Sequence, residues 1–72
     1  MSICIKDQEN NLFFVDSITF NDVCEVVAIV DFEKESYITL GTYKSEERCK
    51  EVISKIFENI KQNKYFYEMP EK

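Results

Sequence analysis

The hydrophobic pattern of this chain changes its period once, at Ser45, and that change constrains the fold more than any other feature. Before Ser45, apolar and polar residues mostly alternate in short runs, which is typical of β-strands. After it, apolar residues recur at the three- and four-residue spacing of one helix face: Cys49, Val52, Ile53, Ile56, Phe57 and Ile60. The sequence therefore predicts a set of strands followed by one amphipathic helix.

The predicted helix covers about residues 45–62. Ser45 is a favourable N-cap, because a serine hydroxyl can accept a hydrogen bond from a free N–H group of the first turn. Glu46 and Glu47 follow where the helix dipole favours negative charge, and Lys61 lies near the other end, where it favours a cation. These signals agree on a single helix in this part of the chain.

Five runs of alternating or β-branched residues predict strands: residues 3–5, 12–20, 24–33, 37–43 and 65–69. The pair Asp16–Ser17 leaves two possibilities for residues 12–20, one kinked strand or two short ones. The last run stops at Pro70, and we expect it at a sheet edge. The chain is therefore predicted to be a single α+β domain, residues 1–72, in which an antiparallel sheet of four or five strands carries one helix on one face.

Apolar residues occur on both faces of this predicted sheet, although a single helix covers only one. On the core side, residues 12–20 contribute Phe14, Ile18 and Phe20, and residues 24–33 contribute Cys24, Val26, Ala28, Val30 and Phe32. Residues 37–43 direct Ile38 and Leu40 toward the core and Tyr43 away from it. The same alternation places a second apolar set on the opposite face: Phe13, Val15, Val27, Ile29 and Tyr37.

Three arrangements would cover this second face, which soluble monomers rarely leave exposed. The sheet can curl and bury both sides, two copies can pack face to face, or another protein or a ligand can dock there. Self-association would also stabilise a chain of only 72 residues, whose core is small. We therefore favour a homodimer, with Phe13, Val15, Val27, Ile29 and Tyr37 as its face.

The charge of the chain narrows its partners and its location. A net charge of −5 disfavours nucleic acid, because neutralising phosphates requires clustered Lys and Arg. Such acidity usually serves solubility, and alternatively it provides a surface for a basic groove of another protein. The start "MSICIKDQE" has no basic segment typical of a signal peptide, and no apolar run reaches membrane-spanning length. We expect a cytoplasmic protein without membrane contact.

The residue types argue against catalysis and against a metal or cofactor. The chain has no histidine, so Cys–His and Ser–His nucleophilic pairs are impossible. Its three cysteines, Cys4, Cys24 and Cys49, form no CxxC pair with zinc-ligand spacing, and we expect them to be reduced. The one glycine, Gly41, cannot build a glycine-rich phosphate loop. We predict a non-enzyme with no cofactor and no metal site.

The stretch "LGTYKSEER", residues 40–48, is the remaining candidate for a ligand site. Helix N-termini bind anions through free N–H groups, but Glu46 and Glu47 would repel a phosphate there. The stretch is therefore either a capped strand-to-helix corner, with Arg48 paired to Glu51, or a contact site for a ligand or partner. The candidate contact residues are Tyr43, Lys44 and Arg48, and also Tyr65 and Tyr67, for which packing of an edge strand onto the helix is the alternative.

Residues 38–70 carry the pattern I-x-L-G-x-Y-x-S-E-E-R, then the amphipathic helix, then Y-x-M-P. This pattern resembles a group of very short proteins from phages, prophages and mobile elements of Gram-positive bacteria. The resemblance implies a setting rather than a mechanism: an accessory protein that acts by binding in the host cytoplasm. Within that setting we predict that the chain inhibits or modulates a host protein, such as a defence protein, as the homodimer favoured above. The alternatives that the resemblance allows are a module that sequesters an anionic nucleotide and a structural subunit of a phage complex.

Overall fold

The computed structural model of the chain describes residues 2–31 and 33–72. Within these residues, the secondary structure consists of six strands and one helix. In chain order they are β1 (Ile3–Lys6), β2 (Leu12–Val15), β3 (Ile18–Phe20), β4 (Glu25–Asp31), β5 (Ser36–Thr42), α1 (Glu46–Lys61) and β6 (Phe66–Glu68). The predicted α+β class with one amphipathic helix is confirmed.

The strands form two three-stranded sheets, in the orders β2-β1-β6 and β3-β4-β5. β1 pairs antiparallel with β2 and parallel with β6, and β4 pairs antiparallel with both β3 and β5. The parallel pair arises because α1 carries the chain back across the molecule before β6, as parallel pairing requires. The structure thus adds two features to the predicted antiparallel sheet: a division into two sheets and one parallel pair at an edge.

The two sheets are connected by the bend at Asp16 and Ser17. This bend divides the predicted run 12–20 into β2 and β3, which is the second of the two alternatives left open by the sequence. β2 pairs with β1, whereas β3 pairs with β4. The carbonyl of Ser17 extends the second ladder by accepting a hydrogen bond from the N–H of Ile29 at 2.9 Å.

The helix α1 begins after Ser45, whose hydroxyl accepts a hydrogen bond from the N–H of Arg48 at 3.2 Å. It ends before Gln62, and Asn63 beyond it has a φ of 60°, the left-handed conformation that commonly terminates helices. The predicted span of about 45–62 is confirmed. Among the described residues, no helix has the length and apolar character needed to cross a bilayer.

One hydrophobic core lies between the two sheets and α1. Its buried members are Ile3, Ile5, Val15, Val26, Ala28, Leu40, Tyr43, Cys49, Val52, Ile56 and Met69. Burying one large aliphatic side chain stabilises a fold by about 1.5–3 kcal/mol. Because the contributors come from strands, helix and the segment after β6, no single element can pack its apolar face without the others.

The structure reverses the predicted faces of β2. Val15 is buried in the core and Phe13 packs against it, while Phe14 is 81% exposed. The bend at Asp16 and Ser17 inserts one residue into the alternation, so β2 points its odd-numbered residues at the core and β3 its even-numbered ones. The prediction that Phe13 and Val15 lie on the outer face, with Phe14 inside, is therefore wrong.

A bulge at Leu40 has the same effect in β5. The ladder skips Leu40, because the residues on either side of it pair with consecutive residues of β4. Leu40 is buried and Ile38 packs against the core, as predicted. The extra residue turns Tyr43 inward, where it is only 6% exposed. The prediction that Tyr43 points away from the core is wrong.

The side-chain directions predicted for β4 are correct in the middle of the strand and wrong at its end. Val27 and Ile29 alternate with the core residues Val26 and Ala28 and line an outer groove together with Tyr37 of β5, although Val27 is only 4% exposed. The register shifts after Ile29, and Val30 is exposed instead of joining the core. Phe32, predicted on the core side, lies outside the described residues.

Candidate functional site

The strand-to-helix corner at residues 40–48 holds the strap, which we define as residues 69–72. The hydroxyl of Tyr43 donates a hydrogen bond to the carbonyl of Pro70 at 2.8 Å. The guanidinium of Arg48 donates from Nε and Nη2 to the main-chain oxygen of Lys72 at 3.1 and 2.9 Å. Its Nη1 lies 3.5 Å from a carboxylate oxygen of Glu51, the ion pair expected from their spacing. Arg48 is therefore engaged within the chain.

The ring of Tyr43 lies beneath this guanidinium, with 5.8 Å between the ring centroid and Cζ of Arg48. Burial, reinforced by nearby Tyr67, raises the pKa of Tyr43 to about 12, although the Arg48 cation opposes the shift. The hydroxyl consequently stays protonated at neutral pH and remains a donor to the strap. Tyr43 acts here as a buried structural residue.

Gln8 connects the loop after β1 to β5 and to the same strap. Its Nε2 donates to the carbonyls of Pro70 and Glu71 at 3.0 and 3.1 Å, and its Oε1 accepts the N–H of Thr42 at 2.9 Å. The N–H of Gln8 also donates to the carbonyl of Leu40 at 3.3 Å. These bonds join the loop after β1 to β5, an edge strand of the second sheet, and to the strap.

Gly41 is required at this junction by close packing. Its φ is not positive, so a left-handed conformation is not the reason. A Cβ atom at this position would lie 2.8 Å from the hydroxyl of Tyr43 and 3.1 Å from Cδ of Gln8. Any larger residue would push apart the two side chains that hold the strap.

The two ends of the pattern I-x-L-G-x-Y-x-S-E-E-R … Y-x-M-P thus contact each other. Tyr43 bonds Pro70, Gly41 makes room for Tyr43, and Ser45 caps the helix. Met69 is buried in the core, and its N–H donates to the carbonyl of Lys6 at 2.8 Å. Most residues of this pattern therefore have an intramolecular structural role, which accounts for the corner without an anion.

The remaining candidate contact residues are dispersed. Lys44 is exposed beside the corner. Tyr65 is exposed, and its hydroxyl donates to Oδ1 of Asn63 at 3.0 Å. Tyr67 pairs with Ile5 and packs against the core, where burial raises its pKa. The structure brings Tyr43, Tyr67 and Arg48 together but does not form an open site from them.

The outer face of the first sheet carries an exposed aromatic row that sequence reasoning missed. Cys4 pairs with Phe14 on one side and with Phe66 on the other, so the three side chains lie side by side. Phe14 is 81% and Phe66 50% exposed. The adjacent row contains Leu12, Lys6 and Glu68, in that order across the sheet. We call these six residues the aromatic face.

The aromatic face also contains a balanced pair of charges. Nζ of Lys6 lies 3.3 Å from a carboxylate oxygen of Glu68, and both side chains remain accessible. Exposed apolar residues in a contiguous group are typical of interaction surfaces. Scattered surface phenylalanines would not have this meaning, but here the pairing places Phe14 and Phe66 on either side of Cys4, on the same face of the sheet.

The outer face of the second sheet forms a groove of about 460 Å³. Its apolar lining includes Val27, which is only 4% exposed, Ile29 and Tyr37, together with Phe20, which also packs against the core. Among the described lining residues, Glu35 of the β4–β5 connection is the one with an ionisable carboxylate. Thr19, Asn21 and Ser36 complete the lining. None of the described residues that line the groove is Lys or Arg, so its chemistry does not suit an anion.

The other titratable groups form no metal-binding cluster in the part of the chain that is described. No group of three or more Cys, Asp or Glu side chains within residues 2–31 and 33–72 could hold a metal ion. Burial raises the pKa of Cys49, which keeps this thiol protonated in the core. Cys4, Cys24 and Cys49 are free thiols.

The aromatic face was missed because alternation was followed through residues 12–20 without a change of phase. The polar pair Asp16–Ser17 was the available signal: a break there restores Phe14 to the outer side. Comparison of the chain with protein-family models, curated proteins and solved structures gives no match. Its function is therefore inferred from these two surfaces.

Proposed function

We propose that this chain is a non-enzymatic interaction protein that works as a homodimer, with the aromatic face as the dimer surface. The observation that carries the proposal is the row Phe14–Cys4–Phe66, in which two phenylalanine rings stand in solvent on one face of a sheet. Burying such a ring contributes about 1.5–3 kcal/mol. Because a two-fold dimer uses the same patch on both copies, it buries these two rings in each copy, four rings in all.

The charges of the aromatic face favour a second copy as its occupant. The whole chain carries −5, so two copies carry like net charges and repel each other overall. Lys6 and Glu68 balance each other on this face, and a two-fold axis brings one copy's patch against the same patch of the other. A patch with one cation and one anion is complementary to itself, because Lys6 of one copy can face Glu68 of its partner.

The biological setting is part of the same proposal. The pattern in residues 38–70 supports an accessory protein of a phage or mobile element, and the dimer would inhibit or modulate a host protein, such as a defence protein, by occupying its surface. Sequestration of an anionic nucleotide around Arg48 is less favoured. The guanidinium already bonds Lys72 and Glu51, and the aromatic ring beneath it, Tyr43, is buried.

Sedimentation equilibrium at micromolar concentrations tests the dimer. The wild-type chain should sediment as a dimer, and Phe14→Ser should sediment as a monomer with unchanged circular dichroism. Phe57→Ser is the matched control, because Phe57 is exposed on α1, away from the aromatic face. A wild-type monomer throughout this range would refute the proposal, as would a dimer that survives Phe14→Ser but not Phe57→Ser.

A further inference from the structure

The groove on the outer face of the second sheet points to the chemistry of the partner. We propose that it binds a segment of a basic protein, with a lysine or arginine side chain laid over Val27 and Ile29. This inference rests on the proposed function as an interaction protein and names the class of partner. The groove belongs to the β3-β4-β5 sheet, whereas the aromatic face belongs to the β2-β1-β6 sheet.

The shape and lining of the groove suit a long side chain with a charged end. Its volume of about 460 Å³ is within the range of natural binding clefts. The methylene stem of a lysine or arginine can pack on the aliphatic floor while its head stays in a polar environment. Tyr37 is 58% exposed, so the face of its ring is available for a cation–π contact with that head.

The charge at the groove selects a cation over an anion. Among the described residues the ion pairs are Lys6–Glu68 and Arg48–Glu51, so the Glu35 carboxylate at the groove is not neutralised by an ion pair of its own. The groove's other carbonyl-bearing side chain, Asn21, is occupied, because its Oδ1 accepts the N–H groups of two residues in its own turn. Glu35 is therefore the group that an incoming cation would meet.

The surroundings add to this preference. The connection that holds Glu35 also contains Glu33 and a single cation, Lys34, and it follows Asp31 at the end of β4. A further cation, Lys50 of α1, has its Nζ 6.0 Å from the ring centroid of Phe20, beside one wall. The carboxylate of Asp31 is turned to its own loop, where it accepts the N–H of Glu33 at 3.0 Å. The local balance remains acidic, as does the whole chain.

Titration of the isotopically labelled chain by amide NMR tests the groove. The probes are two capped pentapeptides of alternating valine with lysine and of alternating valine with glutamate. The lysine peptide should shift the amides of Val27, Ile29 and Tyr37, and its affinity should fall as salt is added. The affinity should also fall about fivefold in Tyr37→Ala, from loss of the cation–π contact, and by a similar factor in Glu35→Gln.

The controls separate this inference from the dimer proposal. Glu58→Gln removes an exposed carboxylate on α1 and should leave the affinity unchanged. Tyr37→Ala should still sediment as a dimer, so a failure of dimerisation and a failure of groove binding are independent results. Absence of binding, equal binding of the glutamate peptide, or shifts confined to Phe14 and Phe66 would overturn the inference.

Discussion

The Tyr43 hydroxyl donates a hydrogen bond to the carbonyl of Pro70 at 2.8 Å, across 27 positions of sequence. This bond joins the corner between β5 and α1 to the strap that follows β6. The same carbonyl also accepts from Nε2 of Gln8 at 3.0 Å. Strand, helix and strap are therefore held at one point, and four substitutions around it and in the neighbouring loop test how much each part contributes.

Tyr43→Phe should lower the free energy of unfolding by about 0.5–1.5 kcal/mol, the usual net contribution of one hydrogen bond. The loss stays modest because Gln8 continues to satisfy the Pro70 carbonyl. Urea unfolding followed by circular dichroism measures the change. Tyr65→Phe is the matched control, since its hydroxyl is bonded at an exposed position, and should stay within about 0.5 kcal/mol of wild type. Equal losses in both variants would contradict the assignment.

Gly41→Ala should destabilise the fold by about 1–3 kcal/mol, because the added methyl group overlaps the Tyr43 hydroxyl and Gln8. The hydroxyl is the nearest atom, so the cost of Gly41→Ala should shrink when Tyr43→Phe is already present. A double-mutant cycle by urea unfolding measures this coupling. Strictly additive effects would show that the two side chains do not share the space.

Asp7→Asn should flatten the acid end of the stability profile. Burial by itself raises the pKa of Asp7, but hydrogen bonds from Asn11 and Glu9 outweigh it, and the pKa lies below its ordinary value of 3.8. A depressed folded-state pKa stabilises the fold above the unfolded-state pKa, and this contribution is lost as the pH falls through the folded-state value.

Urea midpoints measured from neutral pH down to about pH 2.5 would show this effect as a shallower decline for Asp7→Asn than for wild type. Asp22→Asn, at an exposed position in the loop before β4, is the control and should follow the wild-type profile. If both variants have the wild-type slope, Asp7 does not contribute to acid unfolding.

Arg48→Ala should loosen the strap while leaving the dimer intact. The substitution removes two hydrogen bonds to Lys72 and an exposed ion pair, and such surface contacts contribute about 0–1 kcal/mol to stability. Amide hydrogen exchange at Met69, whose N–H bonds Lys6, should become faster. Lys44→Ala, beside the corner, should exchange as wild type does. If the exchange rate at Met69 is unchanged in Arg48→Ala, the bonds from Arg48 to Lys72 do not hold the strap in place.

Local sequence signals were sufficient to predict those features that depend on residues within a single element. The change of period at Ser45, its hydroxyl cap and the apolar stripe predicted α1 to within about a residue at each end. Leu40 and Ile38 were placed on the core side correctly for the same reason. The corner was harder to predict, because Arg48 and Tyr43 bond to the strap, which lies far away in sequence.

Which face of each strand is buried depended on a bend and a bulge, and the alternation of apolar and polar residues does not reveal either of them. One added residue in the bend at Asp16–Ser17 exchanged Phe14 for Val15 in the core, and the bulge at Leu40 turned Tyr43 inward. Each shift is a small local change that reverses every side chain beyond it. The candidate dimer surface therefore moved from Phe13 and Val15 to Phe14 and Phe66. Ile29 and Tyr37 did remain on an outer face, where Val27 is buried at the base of the groove.

By itself, the sequence determined the elements of this protein: which segments are strands, where the helix begins and ends, and how acidic the surface is. These properties depend on contacts between residues near each other in the chain, and on composition. The tertiary structure alone decided which side of each strand is buried, why position 41 must be glycine, and which face carries the exposed aromatic rings. Those properties depend on pairing between strands that are distant in sequence. In such a pair, a single bulged residue shifts the register and moves every side chain beyond it to the other face of the sheet.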